Sequence, residues 1–261
     1  MSNFIQECLA ILQQPDPALK AKLALNLRYN RTCELVPVAI IPNHPARPKH
    51  IKDVQPGKVS KRKWGSEEGR LALLHAIAHI ELNAIDLAFD MIARFSCTSP
   101  ISPDWSSEFC EDWLRVGQEE AKHFMLISSL LAERNMKYGD LAVHGSMWDA
   151  ATSTMDRVDA RLAIAPMVLE ARGLDVTPPM IKKMKQAGDI KAAHILEIIY
   201  EEEIGHVAVG VKWFERVCKV LEVQPKSHFK SMVSERFTAA LKPPFNTEAR
   251  SKAGMQRGFY S

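Results

Sequence analysis

The 261-residue chain contains no C-x-x-C pair. Its five cysteines, Cys8, Cys33, Cys97, Cys110 and Cys218, are scattered and odd in number, which speaks against a zinc site or a disulfide framework and suits free thiols in a reducing compartment. No stretch approaches the roughly 18 uninterrupted apolar residues of a membrane-spanning helix. The N-terminus, MSNFIQECLAILQQPDP, lacks the basic region and long apolar run of a signal peptide. These absences predict a cytoplasmic protein with no membrane segment. No segment reads as a strand, and no short-period repeat is present. A composition of 46% hydrophobic and 25% charged residues excludes disorder, and the length suffices for one large core.

What is present is helical period. Residues 3–30 read as one or two short helices interrupted by Pro15 and Pro17, and 36–63 as an extended connector rich in Pro, Lys and His. Ser66, followed by Glu67 and Glu68, is an N-cap for a helix to about Phe95. A second long helix is expected from about Asp104 to Lys137, and a third from about Met147 to Arg172 with a kink at Pro166. Gly173 should end the third, Pro178 and Pro179 should begin a short helix, and a fourth long helix should run from about Asp189 to Lys219. The tail holds an amphipathic segment around 229–241. The expected organisation is an N-terminal helical segment and basic connector over 1–65, a four-helix bundle over 66–222, and a basic tail over 223–261.

Each of the four long helices carries a carboxylate within an apolar stripe. At about 100° per residue, Glu81 is the only charge among Leu74, Ile77, Ala78, Ala84, Ile85, Ala88 and Ile92, while His79, Asn83, Asp86 and Asp90 fall on the opposite side. Glu120 and His123 sit among Trp113, Val116, Phe124, Ile127 and Leu131; Glu170 lies beside Ala163, Pro166 and Met167; Glu203 and His206 lie among Leu196, Ile199, Val207, Gly210 and Phe214. Glu119, Glu201 and Glu202 rotate away from these stripes. With 19 Glu and 9 His in the chain, chance gives about 0.7 Glu-x-x-His pairs, so one such pair is weak evidence. Two pairs, each on an apolar stripe and each preceded by a lone stripe Glu at hairpin distance, are far more specific. Residues three apart share a helical face, and two Glu plus two Glu-x-x-His units make up the ligand set of a di-iron or di-manganese site in a four-helix bundle. Oxygen and imidazole donors suit iron or manganese better than thiolate would. The alternative is a metal-free network of core polar groups.

Tyr200, one turn before Glu203 on the same face, is a candidate catalytic phenol or a core tyrosine with a satisfied hydroxyl. Asp156 and Asp159 share the Glu170 face but read as helix-end groups. His75, His79 and His194 read as surface or interface residues, and Arg161 and Arg172 as partners of ligand carboxylates. The net charge of +3 conceals a segregation: residues 47–63 carry +6 and 223–261 carry +5, leaving −8 elsewhere. Basic arms on an acidic body are an RNA footprint or, the preferred reading since no aromatic residues interleave, arms neutralising the bundle.

The strings LLHAIAHIELNAIDLAFD (73–90), GQEEAKHF (117–124), RLAIAPMVLEARGLDVTP (161–178), YEEEIGHVAVG (200–210) and KPPFNTEAR (242–250) closely resemble a bacterial family of ferritin-like proteins known as a domain of unknown function. The resemblance spans roughly residues 35–255. It implies an all-α, ferritin-like four-helix bundle, and it carries the metal-ligand role onto Glu81, Glu120, His123, Glu170, Glu203 and His206. More distantly, the arrangement is similar to a di-iron hydroxylase acting on a modified tRNA nucleoside and to rubrerythrin-type peroxidases. The expectation is therefore two iron ions, with mixed Mn/Fe or two Mn as alternatives, in an oxidoreductase that activates O2 or peroxide. Its partners would be a small-molecule substrate or modified nucleoside and a reductant, in a monomer or small homo-oligomer. A ferroxidase and a metal-stabilised RNA-binding module are the alternatives from other classes.

Overall fold

The computed structural model describes residues 3–31, 35–37, 40–55, 58, 65–237 and 239–261. Cys33 and the basic residues Lys61, Arg62 and Lys63 lie outside them. The described residues are all-α: α1 (Phe4–Leu12), α2 (Pro17–Asn26), α3 (Glu67–Phe95), α4 (Pro103–Glu133), α5 (Ser146–Thr152), α6 (Val158–Ile164), a π-helical turn (Ala165–Glu170), α7 (Ala171–Gln186), α8 (Ile190–Val220), α9 (Pro225–Arg236) and α10 (Thr247–Lys252). Side-chain caps set several starts: Asp16 accepts from Leu19 N, Ser66 from Gly69 N and Asp189 from Ala192 N. α4 ends earlier than its pattern suggests because Asn135 adopts a left-handed φ of 57°, and Met136 N returns to the Leu131 carbonyl.

The third long helix of the sequence pattern is broken twice. After α5, the hydroxyls of Ser153 and Thr154 bond back to the carbonyls of Ala150 and Ala151, which ends that helix. The kink expected at Pro166 is resolved as the π turn, whose last residue is Glu170. Gly173 does not end a helix, and Pro178 and Pro179 do not begin one; α7 runs through all three. Pro178 has no N–H for the Leu174 carbonyl, and Asn246 Nδ2 from the tail donates to that carbonyl instead at 3.1 Å.

α3 pairs with α4, and α7 with α8, as two hairpins. α4 and α8 then cross antiparallel, as their side chains record: Lys191 meets Glu133, Glu202 meets Lys122, His206 meets Glu119 and Arg216 meets Glu108. Gly210 of α8 permits close approach to the π turn, since a Cβ there would lie 2.4 Å from Pro166 Cβ. Gly210→Ala should therefore cost about 1–3 kcal/mol by pushing away the turn that carries Glu170. Denaturant unfolding measures this, and an unchanged midpoint would mean that the contact relaxes freely.

α3 is apolar and long enough to cross a membrane by composition, yet 89% of its most apolar stretch is buried within the protein. Its polar side is covered as well. Asp86 is buried against Lys20 of α2 at 2.5 Å and against Arg47; Asp90 is buried against Arg94 and Arg161. Buried carboxylates persist because each is paired and hydrogen-bonded. The C-terminal segment packs on α6, α7 and α8, and Arg250 is buried in a two-pronged bond to Asp175.

Candidate metal centre

The apolar stripes of α3, α4 and α8 and the end of the π turn face one another and bring the six stripe residues together. One donor atom from each of Glu81, Glu120, His123 and Glu203 lies within 4.8 Å of the others. His206 Nδ1 joins them at 2.8 Å from Glu120 Oε1 and 3.5 Å from Glu203 Oε2. Glu170 completes the ring: it shares a cavity wall with Glu81 and Glu203 and feels the charges of Glu203 and Glu120. Glu203 is half-buried and the other five are buried.

Helical-wheel reasoning sets Glu119 and Glu202 aside as ligands but does not reveal where they go. His123 Nε2 lies 2.8 Å from Glu202 Oε2, and His206 Nε2 lies 2.8 Å from Glu119 Oε2. Each outer carboxylate reaches across the antiparallel crossing to the histidine of the other helix. The readable signal is a Glu immediately before the ligand Glu in both motifs, Glu119 before Glu120 and Glu202 before Glu203. Burial pushes Glu202 up, but bonds from Lys122 and His123 outweigh it and hold its carboxyl below the ordinary range. An ionised carboxylate only accepts, so Nε2 carries the proton, and a neutral His123 turns its Nδ1 lone pair inward. Outer carboxylates that fix a tautomer in this way accompany most histidine metal ligands.

The inner atoms are poorly satisfied by protein alone. Glu81 Oε2, both oxygens of Glu120, His123 Nδ1, Glu170 Oε2, Glu203 Oε2 and His206 Nδ1 are buried without a hydrogen-bond partner among the described residues. His206 Nδ1 and Glu120 Oε1 are 2.8 Å apart yet not aligned as a hydrogen bond. Buried donor atoms crowded together without hydrogen bonds to one another are what a cation can satisfy. Without one, protons take its place. Burial, and then the charge of Glu120, push Glu81 well above the carboxylate range, and Glu203 rises for the same reasons. Glu170 is raised by burial and by Glu203. Burial opposes charge on Glu120 too, but the His206 and His123 imidazoliums outweigh it and keep this carboxylate ionised. Burial lowers the His123 pKa, but Glu120 and Glu81 outweigh it and lift the group to about 11.

The remaining candidates engage other groups, although Arg172 also lines a cavity with Glu81, Glu170 and Glu203. The Tyr200 hydroxyl accepts from Asn246 Nδ2 at 3.0 Å, which ties this phenol to the tail. Arg161 pairs with Asp90 rather than with a ligand, and Arg172 with Asp175 and the tail carbonyls of Lys242 and Pro244. Asp159 is buried against Arg157 and His228, and Asp156 pairs with Arg236. His75 is not a surface residue: it is buried and accepts from Gly139 N at 2.8 Å. His79 is half-buried, and His194 is exposed beside Glu197. Several charges of the basic arms are engaged within the chain, notably Arg47, Arg236 and Arg250.

A mostly apolar cavity of about 170 Å³ adjoins the cluster, with Ile77, Ala84, Leu169, Leu196 and Ile199 on its walls together with Glu81, Glu170 and Glu203. The fold and the site together define an all-helical bundle around a carboxylate–histidine group that can hold a metal ion. The chain belongs to the family described as "Protein of unknown function (DUF455)", which it matches over residues 13–261. It is similar to an "Uncharacterized protein" of Haemophilus influenzae, with 36% identity over 262 residues covering 97% of this chain and 91% of the relative. No solved structure matches the chain.

Proposed function

We propose that the protein is a ferritin-like di-metal oxidoreductase that uses O2 or peroxide to oxidise, and most simply to hydroxylate, an organic substrate. The observation that carries this reading is the set of buried, unpartnered donor atoms on Glu81, Glu120, His123, Glu170, Glu203 and His206, beside a mostly apolar cavity lined by three of those carboxylates. Those six residues would hold two iron ions, or manganese in one or both positions. The metals would supply the redox chemistry. Glu202 and Glu119 hold the imidazoles in the tautomer that presents Nδ1 to the centre. The apolar walls exclude water and orient the carbon to be oxidised. In a hydroxylation, one oxygen atom enters a C–H bond and the other leaves as water, with two electrons and two protons drawn from an external reductant. The cavity favours this reading over iron storage, which needs no organic pocket.

The test is anaerobic ferrous loading, addition of a reductant and a small aromatic probe such as indole or toluene, and exposure to oxygen. Hydroxylated probe should appear in mass spectra. It should disappear in Ala84→Phe, which fills the cavity, with metal content unchanged. Iron oxidation that continues to many ions per chain, without product and indifferent to the cavity, would support the ferroxidase alternative instead.

A further inference from the structure

A second cavity, of about 190 Å³, lies on the other side of α3, between that helix, residues 44–53 and the start of α5. Its walls are apolar at Pro45, Val143 and Trp148, and the Trp148 indole is fixed by donation to the Asn43 carbonyl at 2.8 Å. Its charges lie on two separate residues. Arg47 contributes the positive one: of its five N–H groups, three are used by Asp86, the Ala46 carbonyl and Asn83 Oδ1, so two have no partner among the described residues. Asp86 also carries Lys20, so a single carboxylate faces two cations and a surplus positive charge remains. Asp53 contributes the negative one: its Oδ1 accepts from Gly145 N at 3.0 Å, and Oδ2 accepts no hydrogen bond among the described residues. Asp53 and Arg47 line one cavity without pairing with each other. His79 is half-buried and both its nitrogens are engaged, Nδ1 by the Tyr138 hydroxyl at 2.7 Å and Nε2 by the His144 carbonyl at 3.3 Å. His44 lies on the exposed rim.

A wall with surplus positive charge and spare guanidinium donors matches a carboxylate, and a spare carboxylate oxygen matches an ammonium. An apolar, aromatic remainder matches a hydrocarbon side chain. Two further cavities lie beside it. It shares His79, Asn83 and Val143 with a smaller cavity of about 80 Å³, and that one shares Ile80 and Met147 with the cavity lined by Glu81, Glu170 and Glu203. We propose that the Arg47–Asp53 cavity binds the zwitterionic head of an α-amino acid whose apolar side chain extends past Ile80 and Met147 toward the carboxylate cluster. The protein is then an amino-acid-binding enzyme. The identity of that amino acid as the oxidised substrate rests on the function proposed above, whereas its binding does not.

The experiment is a thermal-shift panel of the twenty standard amino acids on the metal-free full chain, with affinities of any hits measured by calorimetry. At least one amino acid with an apolar or aromatic side chain should raise the melting temperature. Its N-acetyl derivative and its carboxamide should each bind about tenfold more weakly or worse, as expected for loss of a charged hydrogen-bond partner. Asp53→Asn, a change at an exposed position, should keep the ligand-free melting temperature and lose the preference for a free ammonium. Arg47→Gln should weaken binding further, but it also disturbs Asp86, so Asp53→Asn carries the test. A panel without a shift overturns the proposal, as does an N-acetyl derivative that binds as well as the free amino acid. Neither result bears on metal content, so failure of this site and failure of the metal reading remain separable.

Discussion

Anaerobic addition of Fe(II) or Mn(II) to metal-free protein should raise its melting temperature, and the increment should grow with pH. Glu81, Glu170 and Glu203 have folded-state pKa values raised above 4.5, and His123 and His206 have values raised above 6.5. A group shifted upward stabilises the fold fully below its unfolded pKa, and that contribution is lost as pH rises through the folded value. Glu120 is shifted the other way, but its window lies below 4.5 and does not interfere at higher pH. The metal-free protein should therefore lose stability as pH rises above 4.5. Metal reverses the trend because it displaces those protons, and each proton displaced strengthens binding about tenfold per pH unit. At a free concentration about 1,000 times Kd the gain is about 4 kcal/mol. His206→Ala should shrink the increment. An increment that does not change between pH 6 and pH 8 would show that the cluster binds metal without releasing protons, or not at all.

The largest loss of stability is expected from Asp90→Ala. Arg161 is fully buried, and besides Asp90 it bonds Thr154 Oγ1 at 2.9 Å and the Ala151 carbonyl at 2.7 Å. Removing Asp90 leaves an uncompensated guanidinium in the core, a change that costs about 3–5 kcal/mol. The effect should reach the metal, since Arg161 lies in α6 and α6 leads directly into the π turn that ends on Glu170. Lys191→Ala, which breaks an exposed pair with Glu133, should cost no more than about 1 kcal/mol. Equal losses from the two substitutions in chemical denaturation would contradict the packing argument.

The parts of this architecture that the sequence made legible are those governed by local rules. Ser66 and Asp189 cap the helices they precede, and the spacing of Glu120 with His123 and of Glu203 with His206 marks one face of each helix. The parts it hid depend on residues distant in the chain. Pro178 reads as a helix start because its missing N–H normally breaks a helix, and the replacement donor comes from Asn246, 68 positions later by residue number. Asp86 is placed by the sequence only on the side of α3 opposite Glu81, because its partners, Lys20 and Arg47, belong to segments without helical register to α3. Glu119 and Glu202 lie about 100° off their stripes, and that direction gains meaning only once α4 and α8 are known to cross antiparallel. The π turn follows the same logic: Pro166 signals an irregularity, while Gly210 on α8 determines how closely the resulting turn can pack.

If Glu81, Glu120, His123, Glu170, Glu203 and His206 hold two metal ions as proposed, a metal count will show it. Protein reconstituted anaerobically with Fe(II), freed of excess and submitted to elemental analysis should contain close to two iron atoms per chain. Glu120→Ala combined with Glu203→Ala should reduce the count to near zero while the helical circular-dichroism signal persists. A wild-type chain that retains no metal, or a double variant that retains as much as the wild type, would contradict the account.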